Sequence, residues 1–142
     1  MRKVFLGGTC NESTWRNIII PMLNIEYFNP VVEDWTTECM DEELIQREEC
    51  DFCLYTITPK MTGAYSIAEL VDDSNKRPRK TVAVFLRDDG KEKFTEGQWK
   101  SLKAVGKLVA SNGCKVYGNL HEAAIYMNNK SGVIATSKKL SI

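Results

Sequence analysis

Five times along the chain, a short run of β-branched and aromatic residues is followed by a stretch whose apolar residues recur at helical spacing. The spacing predicts strands at Lys3–Gly8, 25–28, 51–58, 81–86 and 114–117. In the first helix, Trp15, Ile18, Ile19 and Met22 fall at i, i+3, i+4 and i+7 and so share one face. Asn11 or Ser13 is its expected cap, and Pro21 bends or closes its last turn. Helices are predicted over 40–49 and 64–74. Thr95-x-x-Gln98 opens a fourth as a capping box, with Trp99, Leu102, Val105 and Val109 as its inner stripe and Gly113 closing it. Asn119-x-x-Glu122 caps a last helix running through Met127. Strands each followed by a helix must be joined by crossovers, which makes the sheet parallel and covers both of its faces. Right-handed crossovers favour an α/β three-layer sandwich whose five-stranded parallel sheet has the flavodoxin-like, Rossmann-like order 2-1-3-4-5. The whole chain, 1–142, fits one such domain, with a polar tail over 130–142.

Sheets of this kind bind ligands beyond the carboxyl ends of their strands, at the switch point between the first and third. Three loops are thereby singled out: 7–12, 29–37 and 58–66. The 19 basic side chains balance the 19 acidic ones, so no nucleic-acid partner is expected. A basic run at Lys76, Arg77, Arg79 and Lys80 flanks Pro78 and reads as a solvated turn. No apolar run approaches the roughly 20 residues that span a bilayer, so no membrane partner is expected. The first strand begins by residue 3 without an apolar leader, and the cysteines are odd in number; a reducing cytoplasm is the expected setting. Cys50 and Cys53, three apart on a strand, point to opposite faces and lack a second pair, so they read as core thiols. Neither a metal nor a cofactor is expected.

The familiar phosphate motifs are missing: neither G-x-G-x-x-G nor a Walker lysine motif follows the first strand. The lone His121 falls in the last helix, away from the three loops, which disfavours a His-based triad. Small and polar groups remain. Gly7 and Gly8, followed by Thr9, allow a ligand close to the backbone. Asn29-Pro30 with Asp34-Trp35 supplies an amide, a rigid turn, a carboxylate and an aromatic plate. Gly63-Ala64-Tyr65-Ser66 leads into a helix whose N-terminus suits an anion, with the Ser66 hydroxyl beside it. Ser66-x-x-Glu69 matches a capping box. A helix starting at Thr62 or Gly63 would instead put Glu69 about two turns in, bordering the apolar Leu70 and Val71. A poorly solvated carboxylate there would suit nucleophilic work.

Phe5-Leu6-Gly7-Gly8-Thr9 with Trp15-Arg16, Asn29-Pro30 with Asp34-Trp35, Gln46-x-x-Glu49-x-Asp51 and Ser66-Ile67-Ala68-Glu69-Leu70 occur in that order over about the first 86 residues. Together they resemble the nucleoside 2-deoxyribosyltransferase-like family. The resemblance implies cleavage of the N-glycosidic bond of a deoxynucleoside or its monophosphate. A glutamate attacks the anomeric carbon, and water or a second base resolves the glycosyl-enzyme. The family segment G-x-x-x-E-L-G maps onto Glu69-Leu70, making Glu69 the implied nucleophile. Gly7, Gly8 and Thr9 would lie near sugar or base, and Ser66 would meet the 5′ group.

Departures from the family pattern accompany the match. Gly63 stands where well-known transferases carry an aspartate, Glu43 aligns near their base-contacting aspartate, and Val71 replaces a glycine. Asp34, Glu43 and Asp41 are all candidates for the proton donor, whereas Glu49 and Asp51 read as structural. The expected substrate-binding set is Gly7, Gly8, Thr9, Asn29, Trp35, Gly63, Tyr65 and Ser66, with Glu69, Asp34 and Glu43 catalytic. The expected function is a nucleoside or nucleotide 2-deoxyribosyltransferase or N-glycosidase. A non-catalytic binder of a nucleotide or nucleotide-derived signal and an NAD or ADP-ribose glycohydrolase are the alternatives. The expected partners are a small nucleoside or nucleotide and at least one further copy of the chain, since members of the family build each site partly from a neighbour.

Overall fold

The computed structural model describes residues 2–10 and 12–130. In chain order the elements are β1 (Lys3–Gly8), α1 (Trp15–Ile19), a 3-10 turn (Ile20–Met22), β2 (Glu26–Phe28), α2 (Thr37–Glu49), β3 (Phe52–Ile57) and α3 (Tyr65–Lys76). Then come β4 (Thr81–Phe85), β5 (Asp88–Asp89), β6 (Glu92–Lys93), α4 (Glu96–Ser111), β7 (Lys115–Tyr117) and α5 (Leu120–Lys130). The main sheet is parallel throughout, in the order β2-β1-β3-β4-β7. Counting only its own strands, this is the expected order 2-1-3-4-5.

Alternation along the strands divides the interior into two cores. Val4, Leu6, Phe52, Leu54, Val82 and Val84 face one way, onto Trp15 and Ile19 of α1 and Leu120, Ala123 and Met127 of α5. Phe5, Cys53, Tyr55, Ile57, Ala83 and Phe85 face the other, onto Leu70 of α3 and Leu102 and Val109 of α4. Successive side chains point to opposite faces of a strand, so near-continuous apolar runs are what a sheet covered on both sides demands.

Local signals set most of the boundaries. Thr95 Oγ1 accepts from Gln98 N at 3.1 Å and Gln98 Oε1 from Thr95 N at 2.9 Å, completing the capping box of α4. Asn119 Oδ1 accepts from Glu122 N at 2.8 Å at the start of α5. Gly113, with φ +110, follows α4. Thr36 caps α2 by accepting from Cys39 N, which starts that helix three residues before the expected position 40.

Three expectations change. α1 is only five residues long, because the chain tightens into a 3-10 turn around Pro21; Ile18 is left half exposed while Trp15 and Ile19 are buried. Its N-cap position is Thr14, without a side-chain cap bond, rather than Ser13; Asn11 lies outside the described residues, as does the tail beyond residue 130. α3 starts at Tyr65, not at Thr62 or Gly63, so Ser66 lies inside the helix and forms no capping box with Glu69. The β5–β6 hairpin was not foreseen. Asp89-Gly90 is a turn signal, and Gly90 supplies φ +64, but the flanking residues are charged rather than alternating.

Gly7 and Gly8 are dictated by packing before any ligand is considered. A Cβ on Gly7 would lie 2.6 Å from the Tyr55 ring, and one on Gly8 would lie 2.2 Å from the Thr56 carbonyl oxygen. Gly8 also has φ +117, which a side chain resists. Gly8→Ala is therefore expected to cost at least about 3 kcal/mol of unfolding free energy, measured by urea denaturation. A loss within the ordinary surface range would mean that the β1 end relaxes freely.

Candidate active site

Beyond Gly8 the first strand leaves the sheet and its terminal carbonyls need new donors. Arg16 provides them from α1. Its Nε and Nη2 donate to the Leu6 carbonyl at 3.0 and 2.9 Å, and its Nη1 donates to Thr9 O at 2.7 Å. Trp15 Nε1 donates to the same Thr9 oxygen at 2.7 Å, and the guanidinium carbon sits 4.4 Å from the Trp15 ring centre. Thr9 closes the turn by accepting from Thr58 N at Oγ1, 2.9 Å away. A buried cation is thus fixed at the carboxyl edge of β1. Its burial lowers its pKa, opposed by Cys10, Glu43 and Glu69.

Above this edge opens a cavity of about 640 Å³. Phe5, Gly7, Gly8, Cys10 and Arg16 form its base, with Pro30, Val31, Val32 and Trp35 from the loop after β2. Met40 and Glu43 of α2 and Tyr65, Ser66 and Glu69 of α3 complete it. Its charged groups are therefore Arg16, Glu43 and Glu69, set among mainly apolar surfaces. Glu43 Oε2 accepts from Trp35 Nε1 at 2.6 Å, which ties the exposed indole to α2.

Glu69 is the buried one, 7% exposed. Its nearest cation is Arg47 of α2, whose Nη1 lies 3.7 Å from Glu69 Oε2. Arg47 makes its better bonds elsewhere: Nε and Nη2 donate to the two Asp73 oxygens at 3.2 and 2.9 Å, and Nη2 donates to Asp72 at 2.9 Å. Asp73, fully buried, also accepts from Tyr55 OH at 2.5 Å and from Arg77 Nη1. Burial disfavours the Arg47 charge, but the Asp73 bonds outweigh it and raise its pKa. Among the described residues Glu69 receives only the long contact. Burial therefore prevails and pushes its carboxyl up to about 7, against Arg47 and with reinforcement from the charges of Glu43 and Asp73.

Seven of the expected site residues meet at this cavity: Gly7, Gly8, Trp35, Glu43, Tyr65, Ser66 and Glu69. The other four lie outside its lining. Thr9 is buried and engaged by its neighbours, and Asn29 Oδ1 accepts from Val31 N to form a local turn. Asp34 and Gly63 are exposed, as is Asp41. Asp51 accepts from Lys3 N and Arg2, a structural role at the opposite sheet edge. The sequence reading gave no role to Arg16, Arg47 or Asp73. Glu69, Asp73 and Arg77 at successive i+4 positions were the available sign, since they place a polar line on one face of α3. Cys50 and Cys53 are buried free thiols; Cys10, by contrast, is exposed at the cavity. Among the described residues there is no metal-ligand cluster, and no helix is long and apolar enough to cross a membrane.

A family model described as nucleoside 2-deoxyribosyltransferase like matches residues 1–88, and the chain belongs to that family. The matched segment contains every residue lining the cavity. Comparison with curated proteins finds no match.

The raised Glu69 carboxyl has a consequence for stability. Between its ordinary value near 4.5 and about 7, the folded state holds a proton that the unfolded state has released. This group's contribution therefore falls as pH rises through that window and is level above it. Urea denaturation of wild type and Glu69→Gln should give a stability difference that moves by about 3 kcal/mol in favour of the variant between pH 4 and pH 8. A difference independent of pH would mean that Glu69 ionises normally.

Proposed function

We propose that this member of the nucleoside 2-deoxyribosyltransferase-like family cleaves the N-glycosidic bond of a deoxynucleoside or deoxynucleoside monophosphate, with Glu69 as nucleophile. The observation that carries the reading is a nearly buried, incompletely paired carboxylate opening into a largely apolar cavity of nucleoside size. Glu69 attacks the anomeric carbon as the bond to the base breaks, and the bonding pair leaves on the base nitrogen. Glu43, the other carboxyl lining the cavity, supplies the proton that accompanies the base; Asp34 and Asp41 are less suited because they lie outside the lining. Water or a second base then attacks the same carbon and releases Glu69. Trp35 and Tyr65 offer flat surfaces to the base, and Ser66 in the first turn of α3 is placed for a 5′ hydroxyl or phosphate. The free thiols suit a reducing cytoplasm.

Gly63 favours a second reading. Among the described residues, its own chain neighbours apart, nothing lies within 4 Å of where its side chain would begin, and the resemblance puts an aspartate at this position in active transferases. A pocket that binds a nucleotide without turnover would fit that loss. NAD or ADP-ribose also offers a glycosidic carbon to Glu69. Incubation with deoxynucleosides, their monophosphates and NAD, followed by chromatography, separates the three. The expected result is release or exchange of the base from a deoxy substrate, at least about a thousandfold slower in Glu69→Ala. In wild type, ionisation of Glu69 should appear as a rising limb of kcat/KM near pH 7. Turnover that survives Glu69→Ala unchanged would remove the assigned nucleophile, and a thermal shift without released base would favour binding alone.

The cavity rim supports a second copy of the chain as partner. Val31, Val32, Trp35 and Tyr65 are each between 45% and 57% exposed and lie together around the opening. Such an apolar rim is the kind of surface that association covers. Light scattering should give at least a dimer, and Val32→Glu with Trp35→Ala should shift it towards monomer. A wild-type monomer at tens of micromolar would refute association through this face.

A further inference from the structure

At the opposite edge of the sheet a second concavity, of about 430 Å³, collects basic residues from distant parts of the chain. Arg2 precedes β1, Lys76 and Arg77 end α3, Arg79 and Lys80 lead into β4, and Lys130 ends α5. One carboxylate, Asp51, shares the lining, and Phe52 and Pro78 give it an apolar floor. In the sequence alone, four of these cations read as a solvated turn. The fold instead adds Arg2 and Lys130 to them and encloses all six around one hollow. This concentration occurs in a chain whose formal net charge is zero.

Packing fixes part of the set and leaves part of it available. Lys80 Nζ is anchored on the carbonyls of Glu48 and Cys50, both at 2.6 Å. Arg77 pairs with the buried Asp73, Arg2 with Asp51 and Lys76 with Asp72. Arg79 and Lys130, both exposed, make no hydrogen bond or ion pair among the described residues. Cations held together in a hollow with apolar walls focus their field outward and draw anions in. Guanidinium forks beside lysine point charges suit phosphate oxygens in particular. The hollow lies within the size range of small-ligand sites. A zero net charge argues against an extended polyanion.

We propose that this hollow binds a small anion bearing two or more linked phosphates, at a site separate from the Glu69 cavity. The strands are parallel, so their amino ends, where the cations gather, lie across the sheet from their carboxyl ends. The inference does not depend on the activity proposed above.

Isothermal titration of the full chain with inorganic tripolyphosphate, at fixed ionic strength and with sulfate as control, tests it. The expected result is saturable single-site binding, at least tenfold tighter for tripolyphosphate than for sulfate. Arg79→Glu combined with Lys130→Glu changes two exposed side chains and should weaken binding at least tenfold, with the melting temperature checked alongside. Ser66→Ala, in the upper cavity, should leave it unaltered. Equal affinity for the two anions, or no saturable heat, would overturn the proposal. So would binding that survives the double variant but falls with Ser66→Ala, since the phosphates would then sit beside Glu69.

Discussion

The bond between Arg47 and Asp73 ties the chemistry of this fold to its packing. It joins α2 to α3 across 26 residues of sequence, and Tyr55 adds the central strand by donating to the same carboxylate. Both charges are removed from water, so each depends on the other and on the hydrogen bonds around them. Removing either would break the centre of a buried network that also includes Tyr55, Arg77 and Asp72, a defect typically worth about 3–5 kcal/mol. The pair also determines what is left for Glu69. A guanidinium fork committed to Asp73 reaches Glu69 only at 3.7 Å, and that residual contact leaves burial free to raise the glutamate's pKa.

Arg16 plays a complementary part on the other side of the cavity. It bonds to strand-end carbonyls instead of to a carboxylate, so its charge is held in place without being neutralised by direct pairing. Strand geometry and electrostatics thus have a common origin. Gly8 has to lack a side chain, because Thr56 crowds the position where one would begin, and the Leu6 and Thr9 carbonyls on either side of it hold the cation. An oxocarbenium-like centre forming near Glu69 would gain from the carboxylate, while Arg16 suits the anionic or electron-rich end of the substrate.

Much of the fold could be read from the alternation of strands and helices, because burying both faces of a parallel sheet leaves a continuous apolar signature on every strand. The β5–β6 hairpin escaped because two-residue strands such as Asp88–Asp89 and Glu92–Lys93 bury nothing and carry no pattern. α1 ended early because a proline cost one turn of an otherwise consistent stripe. In the site, the burial of Glu69 could be anticipated from Leu70 and Val71 beside it, while its place as candidate nucleophile comes from the resemblance. Arg47 and Asp73 were not legible, since their partnership exists only once α2 and α3 lie side by side. Arg16 was hidden for a different reason: the demand it meets comes from unpaired backbone carbonyls, which have no sequence signature. The basic hollow joins residues from both ends of the described chain, so only its central run could be seen beforehand.

How Glu69 is paired bears on whether the cavity turns its ligand over. A pocket selected only to hold a nucleoside gains little from a buried carboxylate kept half-compensated, a state that costs roughly 3 kcal/mol near neutral pH. A glutamine has the same shape and would carry no such cost. Full pairing with Arg47 would also be cheaper, but it would lower the electron density a nucleophile needs. The observed arrangement lies between these two, with a carboxylate that ionises near neutrality and a second carboxyl, Glu43, lining the same cavity. That is the condition under which one group can attack while another assists departure. The open space at Gly63 weakens the case only if the aspartate missing there was the sole acid. With Glu43 lining the same cavity and held by Trp35, a departing base would still have a carboxyl within reach of the cavity.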